Sequence, residues 1–270
     1  MDAMANMFKA SLLAKLQRDW RSSQVDNFDI HRFSREKEST ARWKRLAISM
    51  GALRLRSLFR TATILRHAGE LEWTYRHLED DESRCWLTSV MAYRALGGDR
   101  VKLDTNNPDR QRSIETVERD LIIAKSAQIQ PDGQSLDDFD LHPLGIPIIL
   151  RGRMGNVLYP FLFRQYQLKR GGRELSAGPG DVVIDAGGCF GDTALYFADV
   201  VGSSGKVYCY EFDPTNLVVY EHNMRINPGL SDRIQLVENA LWSLPDREMH
   251  FLADGAGTRL DRRRRTKHRA

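Results

Sequence analysis

No run of this chain comes near the roughly 20 consecutive apolar residues that a membrane-spanning helix requires. Its opening stretch, MDAMANMFKASLLAKLQRDW, has neither the apolar core nor the small-residue cleavage site of a secretory signal. A cytoplasmic location is the expectation. Cysteine is scarce as well. Cys85, Cys189 and Cys209 are an odd number, none in a CxxC pair and none beside a histidine-rich segment, so neither a disulfide framework nor a zinc site is indicated. Cys189 and Cys209 are expected as small buried hydrophobes. Internal repeats are also missing.

What is present suits a globular protein: 270 residues with 41% apolar and 28% charged side chains can form one large domain or two small ones. The net charge of +4 is misleading as a pointer to nucleic acid. The last ten residues, DRRRRTKHRA, carry six of the 40 basic groups and one of the 36 acidic ones, leaving 34 basic against 35 acidic in the rest. The basic excess belongs to a tail at 261–270, and no nucleic-acid partner is expected of the folded body.

Residues 1 to about 125 read mainly as helix, with apolar positions three and four apart. In DDESRCWLTSVMAYRALGG, Asp81 is the expected N-cap. Trp86, Leu87, Val90 and Tyr93 share a side with Met91 at its edge, and Gly97 and Gly98 stop the helix. Residues 33–69 form a basic amphipathic stretch, expected to turn Leu53, Leu58 and Leu65 inward and its charges to water. A non-catalytic module that uses such helices and the basic tail on anionic lipid or nucleic acid is an alternative of another class. The segment AQIQPDGQSLDDFDLHPLG, rich in Pro, Gly, Asp and Ser, suggests a linker that divides a mainly helical region at 1–140 from a domain at 141–260. After it, IPIIL suits a strand, and Pro160 in VLYPFLFRQYQL argues against one continuous helix.

From Gly180 strands and helices alternate. DVVIDA is continuously apolar in its middle, as expected of a parallel strand covered on both faces. TALYFADVV, KVYCYEF, DPTNLVVYEHNMRINPG and RIQLVEN continue as helix, strand, helix and strand. Asp213 caps the second helix, Pro214 opens it, and Asn227-Pro228-Gly229 ends it. The fold class that results is α/β with a parallel sheet.

The densest chemistry is VIDAGGCFGDT, in the turn after the first parallel strand, where ligands approach such sheets. A P-loop needs Gly-Lys-Ser/Thr, but Gly191 is followed by Asp192 and Thr193. A dinucleotide fingerprint is one substitution away, through Ala186, Gly188 and Gly191, which keeps an NAD(P)-dependent oxidoreductase as an alternative. The pattern Asp-x-Gly-x-x-x-Gly is met in full by Asp185, Gly187 and Gly191, with Glu211 ending the next strand. Carboxylates in those places suit S-adenosylmethionine, which has a ribose, an ammonium and a sulfonium but no phosphate. Glu211 can accept from both ribose hydroxyls, Asp185 can attract the ammonium, and the N–H groups that open the helix at Asp192 and Thr193 can meet the cofactor carboxylate.

These stretches, GDVVIDAGGCFGDTALYFA, GKVYCYEFDPTNLVVYEHNMRINP and IQLVENALW, resemble the FkbM family of methyltransferases from about Gly145 to Leu260. The resemblance implies a Rossmann-like class I methyltransferase sheet and S-adenosylmethionine as cofactor. It further implies O-methylation of a sugar or natural-product hydroxyl, and cofactor contacts at Asp185, Gly187, Gly188, Gly191 and Glu211, with Asn239 and Ala240 beside the adenine. Family members also carry a Lys-Ile-Asp-x-Glu-Gly type motif near the transferred methyl, which this sequence lacks. The expectation is therefore an incomplete sheet in a chain cut short at its C-terminus, with the basic tail out of frame and no turnover of an acceptor. No catalytic base can be assigned, and His222 is expected to be a helix-surface residue.

Overall fold

The computed structural model describes residues 6–24, 52–105, 107–130, 133–170, 172–243, 248–249, 251–252, 258–260 and 268–269. The chain divides into two compact units, Met1–Gln111 and Arg112–Ala270.

The first unit is helical. Helix α1 (Met7–Asp19) begins at Asn6, whose side chain accepts the Lys9 N–H. It buries Phe8, Leu12 and Leu16, four residues apart on one face, against Ala92, Tyr93 and Leu96 of a later helix. Helices α2 (Ala52–Arg66) and α3 (Ala68–His77) precede that helix, α4 (Asp81–Leu96). Trp86, Leu87, Val90 and Met91 pack against this core as expected, and Gly97 ends α4 at φ +90°. The cap differs by one residue. Asp80, not Asp81, has the extended backbone of an N-cap, and its carboxylate accepts the Ser83 N–H at 2.8 Å. Leu58 also departs from expectation, because it is exposed while Leu65 packs inward. Residues 33–51 of that basic stretch, and the Leu53 side chain, lie outside the described residues.

Helix α5 (Pro108–Thr116), which contains the division at Gln111, runs into a π-helical turn at Val117–Leu121. Strands β1 (Ile122–Ile129), β2 (Ser135–Asp140) and β3 (Ile149–Gly152) then form an antiparallel sheet in that order. The expected linker is therefore part of a hairpin, and strands β1 and β2 lie within the region 1–140 that reads as mainly helical. Burial on both faces explains the difference: Leu136 and Phe139 of β2, three residues apart and so on opposite faces of the strand, are fully buried in different clusters while its polar residues are not. The one-turn helix α6 (Met154–Val157) opens into a π-helical turn at Leu158–Leu162, which accommodates Pro160 as a buried residue. A hairpin of β4 (Leu168–Arg170) and β5 (Arg173–Leu175) follows.

Strand β6 (Val182–Ala186), helix α7 (Asp192–Val201), strand β7 (Lys206–Tyr210), helices α8 (Pro214–Ile226) and α9 (Pro228–Ser231), and strand β8 (Ile234–Val237) build the α/β layer. The sheet is parallel in the order β6-β7-β8, with Asp185 beside Cys209 and Cys209 beside Leu236. Asp213 caps α8 through the Thr215 N–H, and Pro214 takes its first position. This is a Rossmann-like arrangement. One expectation fails: β6 is covered on one face only. On β6 Asp185 is buried and Val183 half-buried, on the face that carries the fully buried Val207 and Cys209 of β7, whereas Val182 and Ile184 are 67% and 65% exposed on the opposite face. A run of apolar residues cannot reveal whether a second layer exists to cover it. Farther on, Glu248–Met249 pairs with His268–Arg269, and Phe251–Leu252 with Arg259–Leu260.

Candidate functional site

The carboxyl ends of β6 and β7 lie side by side, and the glycine turn is stitched to both. Gly187 and Gly188 each donate an N–H to the Tyr210 carbonyl, at 3.0 and 2.9 Å. The Gly191 N–H closes a tight turn on the Gly188 carbonyl at 2.7 Å. Gly187 and Gly191 have φ of +98° and +80°, and Cys189 between them has φ +48°, a costly value for a residue with a side chain. Steric demands differ along the turn. A Cβ on Gly188 would strike the Cys209 sulfur, and one on Gly191 would meet Met224 and Tyr220 of α8 within 3 Å. A Cβ on Gly187 would meet nothing within 4 Å, so that glycine borders open space.

Glu211, just past β7, is almost wholly buried and already well occupied. One oxygen accepts the Phe212 and Asp213 N–H groups at 2.6 and 2.8 Å, and the other accepts Cys189 N–H at 2.8 Å and Asn216 Nδ2 at 3.2 Å. A carboxylate offers about four lone-pair sites. All are used here, so ribose hydroxyls could bond Glu211 only by replacing some of these donors. Beside it, Asn216 leaves a buried Oδ1 acceptor with no partner, which suits a hydroxyl donor.

Asp185 is buried under the turn, where its Oδ2 accepts the Thr193 hydroxyl at 2.6 Å and faces the Cys209 thiol at 3.8 Å. Burial lifts its carboxyl above the ordinary range despite these bonds, and the Glu211 charge adds to the rise. Asp192 is the first residue of α7, whose N-cap, Gly191, has no side chain with which to cap it. Burial pushes Asp192 up to about 7, opposed by a hydrogen bond from the Asn156 side chain. Asp192 in its protonated form would repel a pyrophosphate less than an ordinary, ionised carboxylate at the same place. The first N–H groups of α7, at Asp192 and Thr193, sit at the positive end of the helix dipole.

Asn239 and Ala240 lie just past β8. The Val237 carbonyl accepts the N–H groups of both Asn239 (2.8 Å) and Glu211 (3.2 Å), joining that strand end to the acid. Cys209 is fully buried as expected, but Cys189 is half-buried and stands in the turn itself. Burial pushes both thiols up, which makes them poor nucleophiles. His222 is half-buried on α8 near the Arg151–Asp138 ion pair (2.7 Å), and burial lowers its pKa. Sequence reasoning missed Asn156, Asn216, Asn223 and Asn227. Only the four-residue spacing of Asn223 and Asn227 on a helix hinted at a shared face.

No family model and no curated protein matches the chain. Among solved structures it is similar to the methyltransferase FkbM from Methylobacillus flagellatus KT, at 15% identity and a TM-score of 0.36, over 71% of this chain and 36% of that one. It is also similar to fibrillarin from Aeropyrum pernix in complex with natively bound S-adenosyl-L-methionine, at 14% identity and a TM-score of 0.22, over 43% of this chain and 55% of that one. The chain thus spans just over a third of the first and just over half of the second.

Proposed function

We propose that residues 141–260 bind S-adenosylmethionine at the carboxyl ends of β6, β7 and β8, as the cofactor side of an FkbM-type O-methyltransferase acting on a sugar or natural-product hydroxyl. The observation that carries this reading is the glycine turn held between two buried acids, with Gly187 bordering open space and no lysine in the turn. The residue types fit the cofactor. Asp185 lies where an ammonium would be attracted, the first N–H groups of α7 suit its carboxylate, and Glu211 with Asn216 offers acceptors to the ribose. When bound, the cofactor supplies a methyl group already activated by the sulfonium. The chain's own contribution is then chiefly to bind and orient it.

A dinucleotide reading has one feature in its favour: Asp192 is buried at the start of α7, and burial favours its neutral form, which lessens repulsion of a pyrophosphate. Calorimetric titration of the full chain with S-adenosylhomocysteine and with NAD separates the two. Saturable binding of S-adenosylhomocysteine without NAD binding is expected. Binding of NAD alone would overturn the proposal.

A further inference from the structure

Asn223 lies in the last turn of α8 and Asn227, four residues on, is the residue that caps its C-terminus, a spacing of about 6 Å by helical rise. Ile149 and Arg151 stand two apart on β3, roughly 6.8 Å along a strand. That match lets the two carboxamides pair with the outer edge of β3 as a neighbouring strand would. Asn227 Oδ1 accepts the Ile149 N–H at 3.0 Å and its Nδ2 donates to the Ile149 carbonyl at 2.7 Å. Asn223 repeats the exchange with Arg151, at 2.8 Å in both directions.

Each Nδ2 has a second hydrogen, and here the two asparagines differ. Asn227 donates back to the Asn223 carbonyl of its own helix at 2.8 Å. Asn223 donates instead to the Phe190 carbonyl, inside the glycine turn, at 2.8 Å. Phe190 lies between Cys189 and Gly191, both at positive φ. Such a conformation persists only where its surroundings over-determine it. Met224, the residue after Asn223, and Tyr220 back Gly191 from the same helix.

Resting on the reading of this turn as the cofactor site, we propose that Asn223 is a positioning residue: it ties the turn to the β1-β2-β3 sheet through one fully buried amide, whereas Asn227 only seals the strand edge.

The full chain and its Asn223→Asp and Asn227→Asp variants test this by amide hydrogen exchange and by titration with S-adenosylhomocysteine. A carboxylate at either site still accepts the strand N–H but can no longer donate. Both variants should exchange faster across residues 149–152. Only Asn223→Asp should also exchange faster across 187–193 and bind about tenfold more weakly, which corresponds to about 1.4 kcal/mol. Asn227→Asp should stay within about twofold of the parent affinity. Equal effects of the two variants on the turn and on affinity, or no effect of Asn223→Asp on either, would overturn the proposal. If Asn223→Asp does not fold, Asn223→Ser, which keeps one donor and one acceptor, is read by the same criteria. Should the parent chain fail to bind S-adenosylhomocysteine, the cofactor reading falls, while exchange across 187–193 still decides whether Asn223 holds the turn.

Discussion

Gly187 and Gly191 are both glycine for their positive φ, but only Gly191 has neighbours where a side chain would go. An alanine costs roughly 1–2 kcal/mol in such a conformation by itself. Gly191→Ala must in addition displace Met224 and Tyr220, so it should lower the thermal unfolding midpoint clearly more than Gly187→Ala; equal losses would contradict this packing. A second residue-scale expectation concerns Asp192. Its folded pKa of about 7 stands above the ordinary 3.8, so the folded chain retains a proton that the unfolded chain loses. The stability this carboxyl contributes is fully present below about pH 4 and is lost as pH rises through about 7. Asp192→Asn should therefore match the parent near pH 4 and become progressively more stable than it up to pH 8, read by denaturant midpoints. A difference that stays flat with pH would show that Asp192 is not buried as a proton-holding acid. Asp185, Gly187, Gly188, Gly191 and Glu211 could all be picked out in sequence, since Asp185 and the glycines are spaced along one strand-turn-helix and Glu211 ends the next strand. The four donors that saturate Glu211 could not, because three are backbone groups whose positions depend on the fold.

At the scale of elements, periodicity placed α4, α7 and α8 and the parallel strands β6, β7 and β8. The cap of α4 shows where such reading loses resolution. Asp80 and Asp81 are adjacent acids, and only the extended backbone at Asp80 makes it the cap. Replacing Asp80 by alanine should cost about 1 kcal/mol in chemical denaturation. Asp81→Ala, at a side chain exposed apart from its ion pair with Arg84, should cost no more than a few tenths. A larger loss from Asp81 would return the cap to that residue. The hairpin of β1 and β2 was hidden for another reason. The Pro-Asp-Gly between its strands looks like a linker in sequence, and a short strand such as SLDDFD, whose apolar residues are three apart, declares itself only when Leu136 and Phe139 each find a core.

At the scale of the molecule, burial of the β6-β7-β8 sheet is one-sided. Val207 is fully buried and Ile184 is largely exposed, although both belong to apolar runs. Val207→Ala should cost about 2 kcal/mol through lost burial and a cavity. Ile184→Thr should change stability by no more than about 0.5 kcal/mol, as surface substitutions do. A large loss at Ile184 would mean that this face is covered in solution.

The division of labour between sequence and tertiary structure follows from the range of the forces involved. Sequence alone determined the alternation of strands and helices from Gly180, the conformational freedom of the turn and the acids at its two strand ends, because helix period, strand period and glycine's lack of a Cβ act within a few residues. Only the tertiary structure decided which face of β6 is bare, how burial shifts Asp185 and Asp192, and that an asparagine some thirty residues past the turn holds Phe190 in place. Desolvation and long-range hydrogen bonds depend on what the rest of the chain brings into contact, and no local pattern encodes that.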